Sequence, residues 1–314
     1  MKSNILNYIT KRTSLVLALI ALPCASPLNA TDYVVSYNES FSTTEANGSF
    51  TFNSGAYAQF YNAALGNSSG GRFTMRMNNA VLVETYNTTM YTDSFFFDSG
   101  GSHWELFNSY ISVDNSITLN SGYTFNLLIN SNSTFAGRSI SENGGTVGLK
   151  IENNSHLISR LNLRNLYMRN SEWTSNASSK INYLDVANST INLVVSSLAD
   201  RLEIGTLYME YISNVTFNVG FTDAAIVDIL AGIGEWDIVM DDTIVISSID
   251  KSGDSNIYYN IATSSDSYQW DVVDLGHKYV IKNITPIVVV PEPSTYAAIF
   301  GVLALAWAIY RRCK

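Results

Sequence analysis

A short motif recurs through the centre of the chain at intervals close to 20 residues. Each copy is an asparagine followed, three positions later, by a large apolar side chain. The copies are Asn132-Ser133-Thr134-Phe135, Asn154-Ser155-His156-Leu157, Asn170-Ser171-Glu172-Trp173, Asn188-Ser189-Thr190-Ile191 and Asn214-Val215-Thr216-Phe217, and their starts lie 22, 16, 18 and 26 residues apart. Asparagine tolerates the left-handed backbone conformation that a tight corner needs. The motif therefore predicts a chain that turns once per repeat and then directs an apolar side chain inward.

Between the copies, apolar residues alternate with small polar ones, as in residues 71–77 and 214–219, which is typical of strands. A period near 20 residues fits a parallel β-solenoid, whose coils stack about 4.8 Å apart. The recurring asparagines are also expected to bond one another in a ladder of side-chain amides. We predict an all-β fold with a β-helix body over residues 31–222. The alternative is an antiparallel β-sandwich or jelly roll, although it needs more tight hairpin turns than Asn47-Gly48 and Asn143-Gly144 supply.

After Gly220 the pattern changes to longer apolar runs separated by turns that contain Gly, Ser or Asp. An open solenoid end would pair with other chains, so it has to be covered. We therefore predict a C-terminal β cap over residues 223–283, with Trp236 and Trp270 packed on the last coil, followed by a linker over residues 284–290.

The N-terminus has the order of a secretory signal peptide. Three basic residues precede an apolar run from Leu15 to Leu22, and small residues follow up to Ala30. This order predicts a signal peptide over residues 1–30, cleavage after Ala30 and export through the Sec translocon. A lipoprotein signal at Cys24 is the competing interpretation, but Pro23 directly before the cysteine fits lipid attachment poorly.

Charge and cysteine content restrict what the exported segment can be. Both cysteines, Cys24 and Cys313, lie outside residues 31–290, so that segment has no disulfide framework or thiolate metal site. It holds 12 basic and 26 acidic residues, a formal net charge of −14. Such a charge repels nucleic acid and anionic lipid head groups, so no nucleic-acid partner is predicted. The sequence contains no calcium-loop motif, and we assign no metal and no cofactor.

The C-terminus combines an extended peptide, an apolar helix and a basic end. Its parts are Pro291, Glu292 and Pro293, then the apolar residues 296–310, then Arg311, Arg312 and Lys314. The prolines favour an extended backbone, and the apolar run predicts a transmembrane helix of about 22 Å, short for a hydrocarbon core of roughly 30 Å. The basic residues are expected to stay cytoplasmic, which leaves the preceding chain outside the inner membrane. An ordinary tail anchor is the alternative.

Together, these features of residues 291–314 resemble the PEP-CTERM sorting signal of Gram-negative bacteria, which a membrane-embedded cysteine protease, an exosortase, recognises. The resemblance implies an inner-membrane precursor, cleavage near the motif, and transfer of the exported segment to the cell surface or its matrix. The repeat region resembles, through weaker motifs, the pectin-lyase-type β-helices of autotransporter passengers. That resemblance implies a right-handed parallel β-helix.

Polar candidates for catalysis are scattered along the sequence. The carboxylates and histidines considered are Glu235, Asp237, Asp241, Asp242, His103, His156 and His277. Neighbouring carboxylates in a turn are usually solvated, whereas a glycosidase needs two that face each other at a defined separation. We therefore assign no catalytic residue. Tyrosines can stack on sugars, but cross-strand packing is their more common role. The tyrosines considered are Tyr57, Tyr61, Tyr86, Tyr91, Tyr258 and Tyr259.

The sequence thus favours an exported structural or adhesive protein, held in or through extracellular polysaccharide, rather than an enzyme. The alternative is a polysaccharide-degrading β-helix enzyme, a glycoside hydrolase or polysaccharide lyase, that carries the same sorting tail.

Overall fold

The computed structural model describes residues 30–98, 100–210, 212–232, 235–238, 243–251, 253–276 and 278–287. Over these residues the chain is nearly all strand, with one short helix. One sheet of 23 strands winds into a parallel β-solenoid of about eight turns. The parallel pairing confirms the predicted solenoid and excludes the antiparallel β-sandwich or jelly roll.

The elements follow one another with short connections. The strands of the first half are β1 (Thr31–Val35), β2 (Asn38–Phe41), β3 (Thr44–Glu45), β4 (Gly48–Phe52), β5 (Tyr57–Tyr61), β6 (Ala64–Leu65), β7 (Phe73–Met77), β8 (Val81–Tyr86), β9 (Thr89–Phe97), β10 (Gly101–Phe107), β11 (Tyr110–Val113), β12 (Ile117–Asn120) and β13 (Thr124–Asn130). The remaining elements are β14 (Thr134–Asn143), β15 (Thr146–Glu152), β16 (His156–Arg169), β17 (Glu172–Ser175), β18 (Ser179–Ala187), β19 (Ser189–Val195), β20 (Leu202–Met209), β21 (Asn214–Phe221), α1 (Asp223–Gly232), β22 (Trp236–Asp237), β23 (Ile244–Lys251), β24 (Asn256–Ile261), β25 (Tyr268–Asp274) and β26 (Tyr279–Pro286).

Each coil has three faces, and each face is a ladder of parallel strands. Face 1 contains β1, β4, β7, residues 94–97, β12, and residues 140–143, 160–163, 179–181, 202–204 and 244–246. Face 2 contains β2, β5, β8, β10, β13, β15, and residues 166–169, 183–187, 206–209 and 248–251. Face 3 contains β3, β6, residues 89–92, β11, residues 134–137 and 156–158, β17, β19, β21 and β24.

The asparagine motif marks the corner at which each coil enters face 3. The pairs Thr134 with His156, His156 with Glu172, Glu172 with Thr190 and Ser189 with Val215 reproduce the motif spacings of 22, 16, 18 and 26 residues. The corner asparagines have positive φ angles of 47° to 60°: Asn62, Asn87, Asn108, Asn132, Asn154, Asn170 and Asn188. The turning role of asparagine is therefore confirmed in these coils. At the last copy Ile212, not Asn214, has a positive φ, of 27°.

The residue after the corner asparagine contributes a second feature, which we call the hydroxyl ladder. Its members are the buried residues Thr88, Ser109, Ser133, Ser155, Ser171 and Ser189, with Ser213 and Ser255 in the last coils. The amide of one member donates to the hydroxyl oxygen of the next, at 3.1 Å from Ser109 to Ser133 and at 3.2 Å from Ser133 to Ser155. Buried amides that lack an acceptor are costly, so the ladder joins consecutive coils at a point where strand pairing stops.

The predicted amide ladder is present in part, at some of the motif asparagines and at other asparagines of face 3. On the outward side of face 3, Asn218 donates to Asn192 at 2.7 Å and Asn260 donates to Asn218 at 3.0 Å. At the corner, the Asn108 side chain donates to that of Asn87 at 2.5 Å. Amide stacking thus supports some coils, while hydroxyls supply most of the corner bonds.

The interior of the first coils is aromatic. Phe50, Phe52, Phe60 and Phe73 are fully buried, and Tyr33 stacks on Phe50 with ring centroids 4.6 Å apart. Aromatic pairs add attraction beyond the burial of their area. These coils are therefore held by ring packing.

The interior of the later coils consists mainly of Leu, Ile and Val side chains and contains the buried Trp173, whereas the buried Trp104 lies in the early coils. The Trp173 indole N–H donates to the carbonyl of Ser159 at 2.9 Å. The buried Trp104 indole nitrogen has no hydrogen-bond partner among the described residues. The two indoles therefore differ in hydrogen bonding: the Trp173 indole has an acceptor, and the Trp104 indole has none among the described residues.

The C-terminal end of the solenoid is closed by α1 and by an antiparallel sheet of β22, β26 and β25. The helix contributes Ala225, Ile226 and Ile229 to the core. Trp270 is 5% exposed and lies edge-on against Phe221, with ring centroids 5.9 Å apart. These contacts fill the end of the core, in the place where the tryptophans are predicted to pack.

The structure moves the predicted boundary at residue 222. β23 and β24 pair in parallel with β20 and β21, so the last coil extends to Ile261. The predicted cap range, 223–283, therefore contains a helix, a last coil and the antiparallel sheet, and the predicted linker, 284–290, begins inside β26. The helix was missed because a short apolar run does not reveal its type by periodicity alone.

Several predicted segments lie outside the described residues. They are the signal peptide up to residue 29, the end of the linker, the sorting motif Pro291, Glu292 and Pro293, the apolar run 296–310, and the basic residues Arg311, Arg312 and Lys314. Ala30 is the first described residue, and it is exposed. Among the helices of the described ranges, none has the length and apolar character to cross a membrane.

Candidate functional site

Face 2 of the early coils carries a group of outward side chains that we call the tyrosine cluster: Tyr57 and Gln59 on β5, and Glu84 and Tyr86 on β8. The register sets Glu84 opposite Gln59. One carboxylate oxygen of Glu84 accepts hydrogen bonds from the hydroxyl of Tyr57 at 2.6 Å, the amide of Gln59 at 2.8 Å and the hydroxyl of Tyr86 at 3.1 Å. Strands from two coils thus direct three donors at one acceptor.

The hydrogen bonds fix the charge state of the tyrosine cluster. Partial burial favours the neutral form of Glu84, but the bonds from Tyr57, Gln59 and Tyr86 outweigh burial, so the pKa of this carboxyl lies below its usual value. Burial, together with the bond to Glu84, raises the pKa of Tyr86 to about 12 and also raises the pKa of Tyr57. At neutral pH the cluster therefore holds one carboxylate and two protonated phenols.

A second carboxylate, Glu105 on β10, is the register partner of Glu84 in the next coil. Strands about 4.8 Å apart bring two such carboxylates close to the separation of about 5 Å used by retaining glycosidases. Those enzymes keep one carboxyl protonated by raising its pKa, whereas the pKa of Glu84 is lowered. Glu84 is therefore unsuited to be the general acid. Glu105 contacts the Nε2 atom of His103 at 2.7 Å.

The aromatic rings beside the tyrosine cluster stack mainly on one another. Tyr61, Tyr86 and Phe107 form a column with centroids 4.9 Å apart and ring planes within 9° of parallel. Each ring covers a face of its neighbour, so these rings serve in cross-strand packing. A sugar could stack only on an end of the column, where Tyr61 is 38% exposed.

The other considered tyrosines are dispersed. Tyr91 packs against Tyr110 at 5.7 Å and lies under the Arg72 guanidinium, Tyr259 stacks on Phe217 at 5.5 Å, and Tyr258 is 49% exposed. They form no continuous ring platform.

His156 lies on the outward side of face 3, inside the asparagine motif. Its Nε2 atom is 2.8 Å from the Thr174 hydroxyl and 3.8 Å from a carboxylate oxygen of Glu172, which also accepts from the amide of Asn192. A nucleophile, base and acid relay uses the two different ring nitrogens of the histidine. Here both contacts involve Nε2, so the geometry holds His156 in place without forming that relay. The group borders a shallow polar depression of about 420 Å³.

The carboxylate pairs chosen from the sequence do not assemble into a site within the described residues. Asp237 forms an ion pair with Lys278 at 2.5 Å, and Glu235 is exposed. Asp241, Asp242 and His277 lie outside the described part of the chain. In the described ranges, no group of three or more His, Cys, Asp or Glu side chains is placed to hold a metal ion.

Sequence reasoning missed the tyrosine cluster and the hydroxyl ladder, although signals for both are present. The ladder serines follow the asparagines directly in four copies of the motif, and Asn62, Asn87 and Asn108 begin three further copies. The cluster is visible only after β5 and β8 are aligned, because Tyr57 and Glu84 are 27 residues apart.

No protein-family model, no curated protein and no solved structure matches the chain.

Proposed function

We propose that this chain is an exported structural or adhesive protein of the cell surface or extracellular matrix, whose solenoid acts as a rigid rod. The hydroxyl ladder is the observation that carries the proposal. It fixes buried corner amides of one coil to side chains of the next, as between Ser109 and Ser133. Coils that are joined at their corners as well as along their strands resist bending and separation.

The rod has a defined size and a closed end. About eight turns at about 4.8 Å each give a length near 40 Å. We take the solenoid to be right-handed, because parallel strands of one sheet are connected by right-handed crossovers in nearly all proteins. The antiparallel sheet of β22, β26 and β25 limits pairing of further chains at the C-terminal end.

In this proposal the two chain ends direct the rod to its destination. The Sec translocon exports the chain, and cleavage after Ala30 removes the signal peptide. The apolar run 296–310 holds the precursor in the inner membrane, and an exosortase-like protease cleaves near Pro291, Glu292 and Pro293. The order of extended peptide, apolar run and basic end in the sequence supports this step.

Tags on both sides of Pro291 test the sorting step. We expect the wild-type chain to lose the C-terminal tag and to reach the surface fraction. A variant with alanine at Pro291, Glu292 and Pro293 should keep both tags at the inner membrane. The matched control carries alanine at Ser294 and Thr295 and should be processed normally. A wild-type chain that keeps both tags on one full-length band contradicts the sorting proposal.

A polysaccharide-degrading β-helix enzyme is the second candidate, favoured by the register pairing of Glu84 with Glu105. The full-length chain in non-ionic detergent can be assayed against a panel of polysaccharides. Under the structural proposal no turnover is expected. Turnover that disappears in Glu105→Gln, while the fold is retained, would replace the structural role with an enzymatic one.

A further inference from the structure

A group of basic side chains on face 1 and at the corner that precedes it contrasts with the acidic remainder of the exported segment. Arg138, Arg160, Lys180 and Arg201 are exposed, and they are four of the 12 basic residues between positions 31 and 290. Lys180 forms an ion pair with Glu203 at 2.9 Å. The three arginines have no ion pair within the described ranges. They therefore form a local excess of positive charge.

The fold brings these side chains into one line along the solenoid axis. Arg160 is the register partner of Ser139, which adjoins Arg138 in the previous coil. Ser178 lies in the coil after Arg160. Its hydroxyl accepts from the backbone amide of Arg201 at 3.2 Å, which places Arg201 in the coil after Ser178. Like charges on neighbouring strands repel one another. An anion that binds across these side chains would reduce the repulsion between their positive charges.

Three connected depressions follow this line, and we call them together the basic groove. The first, of about 500 Å³, is bordered by Arg138 and Arg160, and the second, of about 270 Å³, by Arg160, Lys180 and Arg201. The third, of about 340 Å³, shares Lys180 with the second and adds Arg164. The groove therefore extends over several coils, a shape that suits a chain-like ligand better than a small ion.

The carboxylates near the basic groove are already engaged. Glu142, with a side chain 8% exposed, accepts from the amide and the guanidinium of Arg164 at 3.0 and 2.9 Å. Asp200 accepts from the backbone amides of Ser196 and Ser197, both at 2.9 Å. Neither acid neutralises Arg138, Arg160 or Arg201, so those guanidinium groups are available to a ligand.

We propose that the basic groove binds an anionic polysaccharide through carboxylate groups spaced along its chain. A guanidinium presents paired donors that match a carboxylate, and the serine and asparagine side chains of the groove, such as Asn162, Asn176 and Ser178, can bond sugar hydroxyls. The groove has no aromatic side chain on which a nucleic-acid base could stack. The choice of a polysaccharide as the anionic ligand rests on the proposed function at the cell surface.

The test is a binding measurement on the full-length chain in non-ionic detergent, with immobilised polygalacturonate as the probe and neutral dextran as the reference. The groove variant carries Arg138→Gln, Arg160→Gln and Arg201→Gln. The control carries Arg76→Gln, Lys150→Gln and Lys282→Gln, which remove the same charge elsewhere. We expect the groove variant to lose at least about tenfold in affinity and the control less than threefold, because charge-assisted hydrogen bonds are lost only in the groove.

Several results would overturn the proposal. The first is an equal loss of affinity in both variants, which indicates a long-range effect of net charge. The second is the absence of binding of the wild-type chain to polygalacturonate. The third is tighter binding to single-stranded DNA or to phosphatidylserine vesicles through the same arginines. Matching circular dichroism melts of the two variants show that the fold is intact. The binding measurement uses the unprocessed full-length chain in detergent and does not depend on cleavage near Pro291. Absence of binding is therefore distinguishable from a failure of the sorting step.

Discussion

The early coils and the later coils of the solenoid share one backbone geometry but are held together differently. Residues 31–107 enclose closely packed rings such as Phe50 and Phe60. Their corner before face 3 carries Ala63, which has no hydroxyl, and then Thr88, whose hydroxyl accepts from the amide of Ala63 at 3.4 Å. From Ser109 onward the interior is mainly aliphatic, and serines bond from coil to coil at that corner. Corner hydroxyl bonds thus begin at Thr88 and continue through the later coils, whereas dense ring packing fixes one coil on the next mainly in the early coils.

The largest expected effect is the loss of a ring from the early coils. Phe60 is fully buried and contacts both Phe41 and Phe50 with centroids 5.1 Å apart. We expect Phe60→Ala to lower the free energy of unfolding by about 3–5 kcal/mol, measured in urea, because the surrounding rings cannot close the cavity. In a repeat fold the damage should stay in neighbouring coils. If β19 and β21 unfold at the same urea concentration as β5 in Phe60→Ala, the early and later coils unfold as one unit and the comparison between them fails.

The hydroxyl ladder should give an intermediate effect in the later coils. Ser133→Ala leaves the buried amide of Ser109 without its acceptor, and we expect a loss of about 1–3 kcal/mol in the free energy of unfolding. The control is Ser112→Ala, at an outward position on β11, where a change within about 0.5 kcal/mol is expected. Equal losses in the two variants would show that the hydroxyl bond contributes little.

Trp104 and Trp173, both fully buried, provide a matched pair across the two regions. Trp173→Phe leaves the Ser159 carbonyl without its donor, whereas Trp104→Phe removes an indole nitrogen that has no partner among the described residues. Both variants lose similar volume, so their difference isolates the hydrogen bond. We expect Trp173→Phe to cost about 1–3 kcal/mol more than Trp104→Phe in thermal or urea unfolding. The reverse order contradicts the hydrogen-bonding account of the later core.

The smallest effect is a dependence of the early coils on pH. Glu84 has a lowered pKa in the folded chain, so its stabilisation is complete above its usual value of 4.5 and is lost as the pH falls through the lowered value. The pKa of Tyr86 is raised to about 12, so its stabilisation is complete below pH 10 and is lost as the pH rises toward 12. Unfolding of wild type and Glu84→Gln across this range is the measurement. Identical pH profiles of the two proteins would show that the tyrosine cluster does not contribute to the pH dependence of stability.

The sequence predicts the solenoid well where one motif marks every coil. The spacing of Asn132, Asn154, Asn170 and Asn188 follows the register of face 3 because the corner is the same backbone conformation each time. The sequence predicts the C-terminal end less well. There α1 interrupts the repeat, and the last coil becomes 42 residues long between Asn214 and Asn256.

The surface sites were harder to predict because they depend on alignment between coils. Glu84 meets Tyr57 and Gln59 only through the register of β5 and β8. The same holds for Arg138, Arg160 and Arg201, which look unrelated along the sequence and join only when the coils are stacked. Residue types alone do not give this alignment, since coil lengths vary.

The central claim is that corner hydroxyls lock the later coils into one rod, and native-state hydrogen exchange tests it most directly. The amides of Ser109, Ser133 and Ser171 donate to hydroxyl oxygens rather than to a backbone carbonyl. We predict that these amides exchange as slowly as the strand amides of β13 and β19, at the rate of global unfolding. Exchange at the rate of solvent-exposed amides without a hydrogen bond would contradict the claim.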